Sequence, residues 1–197
     1  AENKFFKSNA GDLSKNSISQ IFEINREDVS NGKLKKILSK INSKFLISYG
    51  VHKIPENTLK DLKGYKWNIH GGLSPWYRGV TTHFWPSYFL EPQMTGMTLH
   101  ETTDFLDAGE IIFQTAAPMV QGDTLHRLAA RNVEIYSEEL ASKIMNLDFN
   151  NLPRGQIQTA YGKVFMLKDW RPEHLSLIYK IYNDGIVDAV LKGNIKG

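Results

Sequence analysis

Asn68 and His70 stand two residues apart, at the end of a predicted strand over Tyr65 to His70. In a strand, side chains at i and i+2 project to the same side. Open α/β sheets bind their ligands at strand carboxyl ends. Asp107 sits in the loop Thr103-Asp104-Phe105-Leu106-Asp107-Ala108-Gly109, after another predicted strand. Gly109 would let that loop turn tightly. An Asn, a His and an Asp meeting at one point suit acyl transfer to an amine. The Asn68 amide can donate to a developing oxyanion. The His70 imidazole can add to that stabilisation or shuttle a proton. A carboxylate at Asp107 would orient the ring and raise its pKa from about 6.5. No Ser or Cys nucleophile is needed if the acyl donor is already activated. Each residue also has a plainer reading: a strand cap, a satisfied polar group under a loop, a turn former.

A competing motif is His100-Glu101-Thr102-Thr103-Asp104, one residue away from the zinc signature H-E-x-x-H. That signature needs a helix to bring two His to one face. Thr98, Thr102 and Thr103 favour a strand instead, so no metal site is expected. Gly71-Gly72 is not a phosphate-binding P-loop, since no Gly-Lys-Ser/Thr follows.

The elements that must position these residues follow α/β grammar. Leu34, Ile37, Leu38 and Ile41 fall at i, i+3, i+4 and i+7 behind Asn31-Gly32, which predicts an amphipathic helix. A buried strand is expected over Lys44 to Tyr49, a helix from Pro55 through Leu62, then the strand ending at His70. Alternating helices and strands imply a parallel sheet. Residues 71–79 read as a loop, Thr81 to Leu90 as a helix, Met94 to Thr102 and Glu110 to Ala117 as strands. Gly122-Asp123 opens a long helix running to about Leu147. Asp148 to Gly155 reads as a linker. Two short strands are expected over Ile157 to Leu167, turned at Tyr161-Gly162-Lys163. Pro172 starts a helix stopped by Asn183-Asp184-Gly185, and Ile186 to Leu191 adds a further turn or two. The first 30 residues are polar; a helix end at Glu2 to Lys7 and an extended segment at Ser17 to Asn25 are the only expectations there.

Composition bounds the function classes. The 197 residues carry 24 Lys plus Arg against 21 Asp plus Glu, a net +3. That is too weak a balance to announce a nucleic-acid binder. The cluster Lys33, Lys35, Lys36, Lys40 and Lys44 reads as a solvated helix face. There is no Cys, which removes disulfides, thiolate catalysis and thiolate zinc sites. No run of 18 apolar residues and no signal peptide are visible, so a cytoplasmic protein without a membrane partner is expected. Ten Phe, eight Tyr and four Trp can bury a real core.

The run Asn68-Ile69-His70-Gly71-Gly72-Leu73-Ser74-Pro75-Trp76-Tyr77-Arg78-Gly79 now combines with Thr98-Leu99-His100 and Leu106-Asp107-Ala108-Gly109-Glu110-Ile111-Ile112. Together they resemble the 10-formyltetrahydrofolate-dependent formyltransferase family, in register from about Lys33 to Leu147. That family includes glycinamide ribonucleotide formyltransferase, methionyl-tRNA formyltransferase and the sugar-nucleotide N-formyltransferases. The resemblance implies that Asn68, His70 and Asp107 are the catalytic set. It implies that Gly50, Val51, His52, Lys53 and Ile54 line a folate pocket, faced also by Thr102, Thr103 and Asp104. Gly71, Gly72, Ser74, Trp76, Tyr77 and Arg78 become candidates for the acceptor substrate; rings for stacking and a guanidinium for phosphate suit a sugar nucleotide.

Many members have Pro after the His and then Ser-Leu-Leu-Pro, where this chain has Gly71-Gly72-Leu73-Ser74-Pro75. That variant, with Tyr161 to Phe165 and Lys168 to Pro172, resembles formyltransferases of amino-sugar and surface-polysaccharide synthesis. The expected fold is α/β, a Rossmann-like formyltransferase core with a mostly parallel sheet. It is expected to lack the family's first strand–helix–strand unit. Residues 1–147 would form the catalytic core and 148–197 a small C-terminal extension. The expected reaction moves a formyl group from 10-formyltetrahydrofolate, the co-substrate, to the amine of a nucleotide-linked amino sugar. Glycinamide ribonucleotide as acceptor, hydrolysis of the formyl donor, and a non-catalytic folate- or nucleotide-binding fragment stand as alternatives. A homodimer is the expected assembly.

Overall fold

The computed structural model describes residues 20–41, 43–148, 150–160 and 162–195. The element expected at Glu2 to Lys7, the start of the one at Ser17 to Asn25, and Tyr161 lie outside them. Residues 20–25 form no strand. The chain divides into two compact units, Ala1–Trp67 and Asn68–Gly197, and strand β2 (Tyr65–His70) carries it from one to the other.

In the first unit, helix α1 (Arg26–Ser30) is held by a reciprocal cap. The Asp28 N–H donates to Asn25 Oδ1 at 2.9 Å, and the Asn25 N–H donates to Asp28 Oδ2 at 3.0 Å. Helix α2 (Lys33–Lys40) follows Gly32, whose φ of 89° leaves the sharp entry to a residue without a Cβ. Strand β1 (Phe45–Tyr49) lies beside β2, and Phe45 packs on Tyr65 and Trp67 with ring centroids 5.5 and 5.0 Å apart. Helix α3 (Glu56–Asp61) lies between β1 and β2 in the chain. Helices α2 and α3 and strands β1 and β2 match the sequence reading because each announces itself by local periodicity or a bounding Gly or Pro; α1 falls in a polar stretch where no helix is expected.

The second unit adds strand β3 (Tyr77–Gly79), helix α4 (Trp85–Tyr88), strand β4 (Met97–Glu101), strand β5 (Ile111–Thr115), helix α5 (Leu125–Met145), strand β6 (Lys163–Phe165) and helix α6 (Ile186–Leu191). β4 lies between β2 and β5. β4 and β5 are antiparallel, pairing Met97 with Thr115, and the register shifts between Leu99 and His100. The fold class is α/β with a mostly parallel sheet, as the alternation of elements implies.

Four local expectations need correction. Residues 77–79 are not loop: they pair in parallel with β6, Tyr77 opposite Lys163 and Gly79 opposite Phe165. The strand at 163–165 therefore does not belong to a local hairpin over Ile157 to Leu167; Gln156 instead makes an isolated bridge to Ile111. The helix expected over Thr81 to Leu90 shrinks to Trp85–Tyr88, because Thr81 takes a φ of 54° and Leu90 a φ of 65°, both off the right-handed helix. The helix expected from Pro172 is a 3₁₀ turn, Pro172–His174, followed by a π-helical stretch, Leu177–Ile181.

Helix α5 begins at Thr124, whose hydroxyl accepts from the Arg127 N–H at 3.1 Å. Leu125, Leu128, Tyr136 and Leu140 are buried along one side. Asn132, on that side too, is fully buried and satisfied: its Oδ1 accepts from the Ala117 N–H at 2.8 Å and its amide donates to the Leu128 carbonyl at 3.0 Å. Tyr77, Phe84, Trp85, Phe165, Ile178 and Ile186 share one core with Leu125, so residues beyond 148 pack with the strands and helices before them. Trp85 stacks on Phe165 at 4.7 Å and donates to the Val80 carbonyl at 3.0 Å, which makes it a core residue. No described helix is long and apolar enough to cross a membrane.

Candidate functional site

The site is built where β2 ends. Its loop folds back over His70 because Gly72 has no side chain. A Cβ at Gly72 would stand 2.5 Å from the Tyr77 carbonyl oxygen and 2.6 Å from His70 Nε2. The loop is then stitched to the sheet. Thr98 Oγ1 donates to the Gly72 carbonyl at 2.6 Å and accepts from the Ser74 N–H at 3.1 Å. Gln114 Nε2 donates to the Ser74 carbonyl at 2.7 Å. The loop that carries Asp107 returns tightly at Gly109, where a Cβ would collide with the Glu101 carbonyl at 1.8 Å. Asp107 itself has a φ of 48°, in the left-handed region that Asp tolerates better than most residues.

Asn68, His70 and Asp107 come together. His70 Nδ1 lies 3.5 Å from Asp107 Oδ2. The same Oδ2 accepts from the Gly79 N–H at 2.8 Å. The other oxygen, Oδ1, lies 3.3 Å from His100 Nε2, and that nitrogen is 3.4 Å from Asn68 Nδ2. His70, His100 and Asp107 are all buried. His100 thus completes a four-residue cluster that motif spacing missed. The signal available was that His100 lies in the last two residues of a strand, near the end that also carries the loop to Asp107; the zinc-like comparison directed attention elsewhere. Gln158 is also beyond the motifs. Its amide donates to the backbone carbonyls of Asp107 at 3.0 Å and Gly109 at 2.6 Å, holding the loop from outside.

The hydrogen bonds select tautomers. His70 Nε2 approaches the Tyr77 carbonyl oxygen at 2.8 Å, a distance that requires a hydrogen on that nitrogen. In the neutral ring Nδ1 is then the basic atom, and it faces Asp107. His100 Nδ1 approaches the Glu101 carbonyl at 2.8 Å and carries the hydrogen there. Its Nε2 is therefore free either to accept from the Asn68 amide or, once protonated, to donate to Asp107.

Electrostatics corrects one expectation. Burial is the largest influence on His70 and pushes its pKa down; the Asp107 charge and the Tyr77 carbonyl push it up without offsetting that. The ring is held neutral rather than cationic. For Asp107 burial opposes ionisation, but the His100 hydrogen bond, the His70 ring and the Gly79 N–H together hold its carboxyl below the ordinary range. His83, half-buried beside Gly71 with Nε2 3.1 Å from the Gly96 carbonyl, has its pKa pushed down to about 4, mainly by desolvation.

The remaining candidates fall in several places. Gly50, Val51, His52, Lys53 and Ile54 form the segment after β1 in the first unit, with Ile54 buried and the other four exposed. Thr102, Thr103 and Asp104 follow β4, and Thr103 donates to the Phe105 carbonyl at 3.1 Å. Ser74 is fully buried, and its hydroxyl donates to the Asp107 carbonyl at 3.4 Å. Tyr77 is buried, its hydroxyl donating to Glu91 Oε2 at 2.7 Å. Arg78 donates to the Gly162 carbonyl at 3.3 Å, while its Nε has no hydrogen-bond partner among the described residues. Trp76 is 52% exposed. No group of three or more His, Asp or Glu among the described residues is arranged to hold a metal ion.

Comparison with known proteins places this geometry. The family model described as formyl transferase matches residues 9–144. The trifunctional purine biosynthetic protein adenosine-3 of Gallus gallus is 39% identical over 75 residues, covering 37% of this chain and 7% of that protein. The bifunctional polymyxin resistance protein ArnA of Wigglesworthia glossinidia brevipalpis is 34% identical over 99 residues, covering 50% of this chain and 15% of that protein. The chain therefore spans only a small part of these relatives. Among solved structures, the formyltransferase PseJ of Anoxybacillus kamchatkensis superposes with a TM-score of 0.58 at 24% identity, covering 93% of this chain and 89% of that one. PseJ was solved with UDP-4,6-dideoxy-4-formamido-L-AltNAc and tetrahydrofolate.

Proposed function

This chain belongs to the formyl transferase family, and from that premise we propose that it moves a formyl group from 10-formyltetrahydrofolate to the amine of a nucleotide-linked amino sugar. The observation that carries the reading is the Asp107 carboxylate shared between His70 and His100, with Asn68 at the same point. All four lie inside the segment that the family model matches.

The proposed chemistry needs no covalent enzyme intermediate. The acceptor amine attacks the formyl carbon; a C–N bond forms and the carbonyl electron pair moves to oxygen. The Asn68 amide donates to that oxyanion. Collapse re-forms the carbonyl and breaks the bond to the folate nitrogen, which leaves with a proton. The attacking amine must lose one. His70 carries that proton, taking it on Nδ1, and Asp107 stabilises the imidazolium while it lasts. A neutral resting ring is the state this role requires. Gly50 to Ile54 and Thr102 to Asp104 are the residues proposed to face the folate. Gly71, Gly72, Trp76, Tyr77 and Arg78 are proposed to face the acceptor, with Ser74 holding their loop. The reaction is proposed to run in the cytoplasm, in a homodimer.

The sugar-nucleotide acceptor is favoured by the likeness to PseJ, which extends over nearly all of both chains. Incubation with the formyl donor and a panel of nucleotide amino sugars, glycinamide ribonucleotide included, tests the proposal. A formylated nucleotide sugar supports it. Formate alone makes the protein a hydrolase, and a formylated ribonucleotide moves the acceptor.

A further inference from the structure

Gln158 lies beyond the segment that the family model matches and outside the motifs that carry the resemblance, yet it reaches the loop that presents Asp107. The chain returns there by a short antiparallel bridge. The Gln156 N–H donates to the Ile111 carbonyl and the Ile111 N–H to the Gln156 carbonyl, each at 2.8 Å. Two residues further in that register, Gln158 stands across from Gly109. Its Nε2 donates to the Gly109 carbonyl at 2.6 Å and to the Asp107 carbonyl at 3.0 Å. Its Oε1 is buried and has no hydrogen-bond partner among the described residues. The nitrogen alone commits this side chain, and it commits it to one loop.

The loop needs such a hold. Asp107 takes a φ of 48°, a left-handed conformation that a residue with a Cβ adopts at a cost. From that conformation its carboxylate stands between His70 and His100. Besides Gln158, the Asp107 carbonyl receives the Ser74 hydroxyl at 3.4 Å, a long bond. The carboxylate end is gripped separately. The Gly79 N–H donates to Oδ2 at 2.8 Å, and the neighbouring Val80 N–H donates to the Phe165 carbonyl at 2.8 Å. Residues 156–158 and 163–165 thus act on Asp107 from both ends, through its backbone by Gln158 and towards its carboxylate by way of β6 and β3.

We propose that Gln158 is a positioning residue for the reaction: it fixes the Asp107 backbone so that the carboxylate faces His70 and His100, and the centre is incomplete without the chain beyond 147. The inference rests on the role given to Asp107 under the formyl-transfer reading above, but the placement it asserts is measurable without substrate.

The test compares the chain with Gln158→Met, which keeps the length and removes the donor, by NMR of isotope-labelled histidine rings. The groups acting on the His70 ring are Asp107, His100 and Arg78, with His83 close by, and of these Gln158 bonds to Asp107. At pH 7 the His70 and His100 ring nitrogens should shift in the direction that Asp107→Asn shifts them, while those of His126, exposed on α5, stay in place. The unfolding midpoint should change little, because the substitution removes the unpartnered Oε1 along with the two hydrogen bonds. Gln158→Glu, which turns a carboxylate on the same two carbonyls, is the second variant and should move the ring signals further. In turnover with the formyl donor, kcat of Gln158→Met should fall about tenfold with KM nearly unchanged, since a small misplacement costs that much. Added to Asp107→Asn, it should cost nothing more, because it acts through the group already removed. Ring signals unmoved in both Gln158 variants, or a full further loss on top of Asp107→Asn, would overturn the positioning role. Shifted ring signals in a protein that transfers no formyl group would uphold the placement of Asp107 and overturn the formyl-transfer reading instead.

Discussion

Asp107 stands between two imidazoles, with Oδ1 3.3 Å from His100 Nε2 and Oδ2 3.5 Å from His70 Nδ1. One buried carboxylate therefore acts on the proposed proton carrier from one side and is itself held from the other. Replacing Asp107 with Asn keeps the shape and removes the charge. Turnover should fall by roughly two to four orders of magnitude if the pair supplies proton transfer. Folate affinity should change much less. Removing the charge also takes away an influence that raises the His70 pKa, so the acid limb of kcat/KM should move to lower pH. Near-normal turnover across the pH range would refute the role given to Asp107.

His100 is a positioning residue in this scheme. It touches Asn68 and Asp107 through Nε2, and its Nδ1 is held by the Glu101 carbonyl. In His100→Gln the Asn68 amide and the Asp107 carboxylate lose their shared partner. We expect kcat to fall by about one to two orders of magnitude, since small misplacements cost that much. KM for either substrate should change little. A purely structural role would instead lower the unfolding midpoint with kcat per folded molecule intact.

Two histidines with lowered pKa, His70 and His83, set a pH dependence of stability. His70 and His83 bind protons less readily folded than unfolded. Stability should therefore rise with pH between the folded values, about 4 for His83, and the unfolded value near 6.5. Urea unfolding at pH 7.5 and pH 5 should show a clear loss at the lower pH. His83→Gln should flatten that loss. Asp107 acts in a lower window: its carboxyl is held down in the fold, so its contribution is complete above about 3.9 and fades as pH falls further.

Gly72 and Leu128 separate site from scaffold. A Cβ at Gly72 meets the Tyr77 carbonyl and His70 Nε2, with only backbone and a buried ring to give way. Gly72→Ala should displace His70 and cost at least tenfold in turnover, with far-UV circular dichroism unchanged. Leu128 is 1% exposed on the buried side of α5. Leu128→Ala should cost about 2–5 kcal/mol in urea unfolding, with little change in kcat at temperatures where the fold persists.

Much of the cluster was legible before any coordinates. The two-residue step from Asn68 to His70 places both side chains on one side of a strand, and the strand was bounded correctly because Gly64 and Gly71 interrupt its pattern. Asp107 was identifiable from its loop and from the resemblance. His100 was not, because its partner is reached through the register shift at Leu99–His100 and the tight return at Gly109. A bulge turns a side chain in a way no alternation rule encodes.

The sequence by itself determined the α/β class, the amphipathic helix behind Asn31-Gly32, the long helix after Gly122 and the strand that ends at His70. Those features are written in periods of two and 3.6, in caps and in composition, all of which act over a few residues. Only the tertiary structure decided that residues 77–79 pair with 163–165, that the Tyr77 carbonyl holds His70 Nε2, and that burial outweighs Asp107 in setting the state of His70. Strand partners separated by so much chain share no local signal. Desolvation depends on everything packed around a ring, not on its neighbours in sequence.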